Sequence, residues 1–352
     1  MNRKKLLVLI ILLLATFCLT VTSHAGPKWE FGENAWMKLD LLAQVHFSFL
    51  DEAEDEEDFY LRRFRILVNG QITEGVRVFF QTDYSNAGKN DVDSDFSLLD
   101  GWVDVQLFKS EHWLKVGLVP LPFSMENRSA VGALLGLDYN SEILKFVNDS
   151  TWRDIGAVLQ GSFHERLGYR VGIFDGYDNS YDNSDTNPDA DLRITGRVDL
   201  GVAGVIPTGW YIQDTSGGGT YMRVGVGYDN QQKATLTAGP EKIPVDNEAW
   251  VLDFQSAYQF DEALQLTVNG AWYDWDNSKF KGNTAFVETG FRYSKFIGTF
   301  KYTLQEPDGS DKINDYTLGL HYNLKSNNLK GGIEYRTGDS PDWWLVGIQF
   351  LL

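Results

Sequence analysis

The chain has 352 residues, with 31 Lys and Arg against 49 Asp and Glu, and a formal net charge of −18. That balance excludes nucleic acid as a partner, because the surface repels polyanions. The one cysteine, Cys18, lies near the N-terminus, so the chain beyond it can build no disulfide, thiolate metal site or cysteine nucleophile.

Residues 1–25 stand apart. Arg3, Lys4 and Lys5 open the chain, Leu6 to Leu14 is an unbroken apolar run, and Ser23-His24-Ala25 offers small residues at a cleavage site. This is the pattern of a cleaved secretory signal peptide. Beyond it no apolar stretch approaches the roughly 18 residues of a membrane-spanning helix. Yet the chain is rich in aromatics, with 16 Tyr, 22 Phe and 11 Trp. The expected organisation is a signal peptide over 1–25, a short periplasmic N-terminal segment over 26–35, and a transmembrane β-barrel over 36–352.

Alternation of apolar and polar residues marks a strand with two different faces. In 36–49, Met37, Leu39, Leu41, Ala43, Val45, Phe47 and Phe49 oppose Lys38, Asp40, Gln44, His46 and Ser48. In 59–72, Tyr60, Phe64, Ile66, Val68 and Ile72 oppose Arg63, Arg65, Asn69 and Gln71. By this parity Arg62 falls on the apolar side, where it would have to reach up to the lipid headgroups. In 75–84, Val76, Val78, Phe80, Thr82 and Tyr84 oppose Arg77, Gln81 and Asp83. The same period recurs near 98–108, 112–120, 154–164, 167–175, 191–200, 220–230, 249–260, 263–275, 284–294, 296–305, 314–324, 328–338 and 342–352, which makes sixteen segments.

Connections alternate between short turns and longer polar loops, which is the pattern of an even-stranded transmembrane barrel. The fold class is therefore all-β: an antiparallel barrel of about 16 strands. Closing the sheet answers a physical demand, since in lipid every backbone polar group must be paired within the protein. A soluble β-sandwich is the competing fold, but it would not need polar faces on so many strands. One connection departs from the pattern: residues 201–219 fall at a short-turn position but are long and Gly-rich, so they are either a periplasmic turn or a misplaced strand end.

Sixteen strands leave an aqueous channel. Inward parity puts basic side chains on its wall: Arg63, Arg65, Arg77, Lys115, Arg193, Arg197, Arg223, Arg292, Lys301 and Arg336. The longest loop, 121–153, is far less polar than the others, and its "SAVGALLGLDYNSEILKFV" could form a short helix. Such a loop belongs folded into the lumen, where Glu126, Arg128, Asp138, Glu142, Lys145, Asp149 and Arg153 would face the basic wall and set up a transverse field.

"YLRRFRILVNGQI" with "VRVFFQTDY", then "LLDGWVDVQL", "LKVGLVPLPFSMEN", "TWRDIGAVLQG" and "RITGRV" together resemble the phosphate-selective porin O/P family. The resemblance is clearest over about 59–200. It implies an outer-membrane porin of sixteen strands, assembled as a homotrimer, whose third loop folds inward and whose arginine-lined lumen passes small anions. It marks Arg63, Arg65, Arg193 and Arg197 as anion-guiding residues. The chain departs from the family in carrying Pro120 where members tend to have a lysine shortly before Pro-Phe-Ser. Architecture is therefore carried over and strict phosphate specificity is not.

The expected function is passive diffusion of small hydrophilic solutes and ions across the Gram-negative outer membrane, with lipid and lipopolysaccharide as surroundings. Two alternatives are a nutrient-specific channel, for a carboxylate or an oligosaccharide, and the barrel of a porin–cytochrome conduit. No CxxCH or HExxH occurs, so no cofactor or metal is expected, and the few histidines give no reason to expect an enzyme.

Overall fold

The computed structural model describes residues 26–51, 56–89, 92, 94–108, 110–140, 145–146, 152–178, 187, 189–204, 209–212, 219–237, 240–324 and 328–352. The signal-peptide expectation over 1–25 thus lies outside the described residues. Among the described residues, seventeen strands occur in chain order: β1 Lys28–Glu30, β2 Trp36–Asp51, β3 Glu56–Thr73, β4 Val76–Ala87, β5 Phe96–Leu107, β6 His112–Pro120, β7 Arg153–Phe163, β8 Leu167–Phe174, β9 Arg193–Ala203, β10 Tyr221–Leu236, β11 Pro244–Gln259, β12 Leu264–Asp276, β13 Lys281–Tyr293, β14 Phe296–Pro307, β15 Ile313–Asn323, β16 Leu329–Gly338 and β17 Asp342–Leu351. A one-turn helix, α1, covers Met125–Arg128.

Each of β2–β17 pairs antiparallel with its sequence neighbours, and β17 returns to β2 from Asp342↔Asp51 to Leu351↔Leu42, closing a sixteen-stranded barrel. The outer face is apolar and exposed: Ile155 is 63%, Leu318 58% and Leu252 56% exposed, with Tyr258 and Tyr293 near strand ends. Exposure of this kind is stable against hydrocarbon and not against water. Inward neighbours are polar and buried, as in the run Arg193, Thr195, Arg197 and Asp199.

The short strand β1 completes the seam. β17 ends opposite Leu41 and Leu42, and the lower part of β2 would then have an open edge. There Lys28↔Lys38, Trp29↔Met37 and Glu30↔Trp36 pair instead. The Leu39 N–H donates to the Pro27 carbonyl at 3.0 Å, and the Leu352 N–H to the Leu41 carbonyl at 2.9 Å. The segment 26–35, expected as a short periplasmic N-terminal segment, contributes ladder bonds to β2.

Two register shifts correct the parity reading. The β2–β3 ladder passes from Gln44↔Arg63 to Val45↔Leu61, leaving Arg62 as the extra residue of a bulge. A bulge turns the following alternation over. Tyr60 therefore points inward, 7% exposed, and Phe59 outward, 70% exposed. Arg62 does not seek the headgroups. Its Nε donates to Asp138 Oδ2 at 2.5 Å and its Nη1 to Asn86 at 3.1 Å. A second shift, at Gln81/Thr82 in β4, leaves Gln81, Thr82 and Asp83 all buried.

Candidate functional site

The sequence "PFSMENR" begins the inward course of the loop between β6 and β7. Ser124 caps α1 in a capping box: its hydroxyl accepts from the Asn127 N–H at 3.1 Å, and Asn127 Oδ1 accepts from the Ser124 N–H at 3.1 Å. This satisfies two backbone donors that a buried helix start would otherwise leave unpaired. A 3-10 turn follows at Val131–Ala133. The short α-helix that "SAVGALLGLDYNSEILKFV" could form is absent over its described residues, which carry 3-10 turns instead. The carbonyls of Leu134, Leu135 and Gly136 accept from Lys330 Nζ at 2.8, 2.8 and 2.6 Å, so they turn to the β16 wall rather than along a helix.

The loop crosses the lumen. On one side the Met125 N–H donates to Asp253 of β11 at 2.8 Å, and Arg197 of β9 donates to the Phe123 carbonyl at 2.9 Å. On the other, the Leu137 N–H donates to Glu334 of β16 at 2.7 Å, and Asp138 receives both Arg62 and Arg63 of β3. The close approach at the first wall depends on glycine. A Cβ on Gly227 of β10 would lie 2.0 Å from the Phe123 carbonyl oxygen, and one on Gly225 1.9 Å from Arg197 Nη2.

An ion-pair network fastens this end. Arg197 donates to Asp199 and Asp253, each at 2.6 Å, and Asp199 also receives Arg170 at 2.8 Å and Arg128 at 3.1 Å. Charges buried this deeply are tolerable because each is paired. Arg193 is held the same way, donating to Asp229 from Nε at 2.8 Å and from Nη2 at 2.7 Å.

The long connection between β9 and β10 is neither a simple turn nor a misplaced strand end. β9 ends at Ala203 and β10 starts at Tyr221, and between them Trp210–Ile212 enter the lumen from the short-turn end. Ile212 and Ser129 form a parallel bridge: the Ile212 N–H donates to the Arg128 carbonyl at 2.8 Å, and the Ala130 N–H to the Ile212 carbonyl at 3.0 Å. Arg128 also donates to the carbonyls of Trp210 and Gly209. The Tyr211 hydroxyl donates to Asp100 at 2.7 Å and accepts from Arg153 at 3.1 Å, while Arg153 Nε donates to Asp100 at 2.8 Å. Sequence reading missed this second inward segment. Its aromatic "WYI" within a Gly-rich turn was the available signal.

Together the two segments fill one half of the barrel with a dry core. Phe123 and Phe146 meet edge to face at 5.1 Å, and Phe146 meets Trp275 at 5.1 Å. Tyr273 and Trp275 stack at 5.3 Å. Val119, Leu121, Val158, Phe174, Trp210 and Val251 join them. Such geometry contributes about 0.5–1.5 kcal/mol per aromatic pair beyond simple burial.

The other half stays open as two chambers. Toward the long-loop end, a cavity of about 580 Å³ is lined by Arg62, Arg63, Arg65, Arg153, Lys301 and Arg336 and by Asp83, Asp138, Asp315 and Glu334. Toward the short-turn end, a cavity of about 570 Å³ is lined by Lys38, Arg65 and Arg77 and by Asp40 and Asp104 among others. Arg65 and Tyr139 line both, so the chambers abut at this pair.

The expected lining residues divide accordingly. Arg63 donates to Asp138 at 2.6 Å and to Gln44 at 2.9 Å. Arg65 donates to Asp83 at 2.9 Å, and its Nε has no acceptor among the described residues. Lys301 has no ion pair among the described residues, and Arg336 lies 5.5 Å from the Trp343 ring. Arg77 lies 4.3 Å over Trp113. Lys115 is fully buried, bound to Asp104 at 2.8 Å. Arg193 and Arg197 are fully buried within the fastening network and line neither chamber. Arg223 sits 4.3 Å over Tyr221, and Arg292 donates to Gln259 at 3.1 Å, close to the β13–β14 turn.

Of the loop residues, Asp138 is held well below the usual carboxylate range: burial alone would raise it, but Arg62 and Arg63 outweigh burial. Glu126 is pushed up to about 8 by burial and by Glu288, against the opposing pull of Asn140 and Lys301. Its Oε1 accepts from the Asn140 N–H at 3.0 Å. Lys145 donates to Gln305 at 3.0 Å. Glu142 and Asp149 lie outside the described residues.

Solved structures share this architecture. The outer-membrane channel DcaP of Acinetobacter baumannii is 12% identical, with 94% of this chain and all of that one covered at a TM-score of 0.60. The anion-selective porin from Comamonas acidovorans is 12% identical, with 90% and 100% covered at 0.60. OmpF of Salmonella typhi, solved with daunomycin, is 13% identical, with 93% and 100% covered at 0.61. At these identities the likeness establishes the fold alone. No curated protein matches the chain. The family described as phosphate-selective porin O and P matches residues 41–238, more than half of the sequence, and the chain belongs to that family of outer-membrane diffusion channels.

Proposed function

We propose that this porin conducts small anions in preference to cations, and that selection occurs where its two chambers meet. The observation that carries this reading is the position of Arg65, which lines both cavities beside Tyr139. A solute moving between the chambers passes its guanidinium. Basic side chains also outnumber acidic ones in both linings. A cationic wall in a low-dielectric passage concentrates anions and repels cations.

The same linings argue against strict phosphate selectivity. Stripping water from phosphate needs a dense array of unpaired cations, and here Arg62, Arg63, Arg65 and Arg153 are each tied to a carboxylate. The reading is a general, weakly anion-preferring pore, acting as a homotrimer in the manner the family resemblance implies. Planar-bilayer reversal potentials in a KCl gradient test it: chloride is expected to carry more current than potassium. A potassium-preferring channel would overturn the proposal. Tight block by phosphate at low concentration would restore phosphate specificity. Chemical cross-linking in the membrane checks the trimer.

A further inference from the structure

The chamber at the short-turn end has a chemistry that general ion diffusion does not require. Its wall joins rings to cations. Phe79 stacks on Trp102 at 5.1 Å and lies 5.9 Å from Tyr211. Trp113 lies beneath Arg77 at 4.3 Å. These side chains converge from β4, β5, β6 and the inward β9–β10 segment, and all border the same cavity of about 570 Å³. That size suits a small organic molecule.

The charges on this wall are not internally balanced. Arg77 stands directly opposite Asp104 in the β4–β5 register, yet Asp104 gives its carboxylate to Lys115 at 2.8 Å. Arg77 is left with a ring and no ion pair among the described residues. Two further donors bordering the cavity, Trp102 Nε1 and Arg65 Nε, are buried without an acceptor among the described residues.

From aromatic faces, an unbalanced guanidinium and unmet donors in one cavity, we infer that this chamber is a binding site for small planar aromatic carboxylates. The ring lies against the aromatic wall, and the carboxylate meets Arg77 and Arg65. A saturated carboxylate of the same charge gains no stacking or quadrupole interaction. A neutral ring gains no ion pair. The inference rests on the reading of the lumen as a permeation path, and it names a solute class that the path retains.

Calorimetric titration of the full-length protein in detergent micelles at neutral pH and low salt tests it with three probes: benzoate, cyclohexanecarboxylate and benzamide. Benzoate is expected to bind about tenfold more tightly than either of the others, the scale of one cation–π or ion-pair contribution. Trp113→Leu should bring benzoate down to the level of cyclohexanecarboxylate, and Arg77→Gln to that of benzamide. Both side chains are at the cavity surface rather than in the dry core, and native barrel folding is checked by heat-modified gel mobility. Equal binding of benzoate and cyclohexanecarboxylate by the unmodified protein, or no binding of either, overturns the inference. So does a benzoate preference that survives both substitutions. Failure of the channel reading looks different: a protein that binds benzoate as expected yet passes no current keeps this site and loses the proposed function.

Discussion

Arg65 shows how one side chain can serve two ends. One nitrogen, Nη2, is anchored to Asp83 at 2.9 Å, which fixes the guanidinium at the chamber junction, and the remaining charge faces the path. Arg65→Gln keeps a polar group there and removes the cation. The expected outcome is a reversal potential shifted toward potassium by several millivolts in a tenfold gradient, with single-channel conductance changed less than twofold. Glu126 carries a different consequence. Its ordinary value is 4.5 and it is raised to about 8 by burial and Glu288, so the folded loop holds a proton that the unfolded chain releases. The sign follows from linkage: this contribution is fully present below about pH 4.5 and is lost as pH rises through about 8. Denaturation midpoints of the wild type should therefore fall between about pH 5 and pH 8.5 relative to Glu126→Gln, whose midpoint lacks this component. Parallel curves for the two proteins would show that the carboxyl ionises freely.

Among the elements, the β6–β7 loop is the one that reaches across the lumen, from Asp253 of β11 to Glu334 of β16. It is fastened at both sides of the lumen and zipped to a second segment from the opposite rim. Strand β10 makes room by carrying Gly225 and Gly227 at inward positions. Gly227→Val would place a branched side chain where the Phe123 carbonyl now lies, since even a Cβ would approach to 2.0 Å. Overpacking of this kind costs about 1–3 kcal/mol, and the loop can relieve it by lifting from the wall. The expected result is a rise in single-channel conductance and in open-channel noise, with the barrel itself still formed by circular dichroism. Conductance unchanged from wild type would mean that the loop's position does not limit flow.

At the scale of the molecule, closure is what makes the chain a membrane protein. All sixteen strands exchange ladder bonds with two neighbours, and β1 covers the part of β2 that β17 does not reach. An uncovered edge in or near lipid leaves backbone groups unpaired, each at a cost of several kcal/mol. Deleting residues 26–31 should leave Trp36–Leu39 of β2 unpaired on that side. The expected effect is a lower temperature for the loss of fast mobility on unboiled gels, by on the order of 5–10 °C, with channel selectivity unchanged. The barrel's interior is also uneven: a dry aromatic half supports the loop and a polar half carries two chambers. That division lets one chain satisfy rigidity and passage together.

The strand count and the closed barrel were legible in the period of two, because alternation reports which face each side chain takes. Parity failed where the ladder bulges. Arg62 and Tyr60 were assigned to the wrong face since one extra residue, invisible in composition, inverts the alternation beyond it. The sequence also marked 121–153 as a loop unsuited to bulk water, through its low polarity. What it could not tell was which cations are spent on holding that loop. Arg193 and Arg197 read like pore residues, but Asp199 on their own strand, Asp229 on β10 and Asp253 on β11 pair with them and remove them from the path. Local pattern settles what each residue faces. Whether a charge is free or paired depends on contacts between residues as distant in sequence as Arg63 and Asp138, and the tertiary structure alone brings those together.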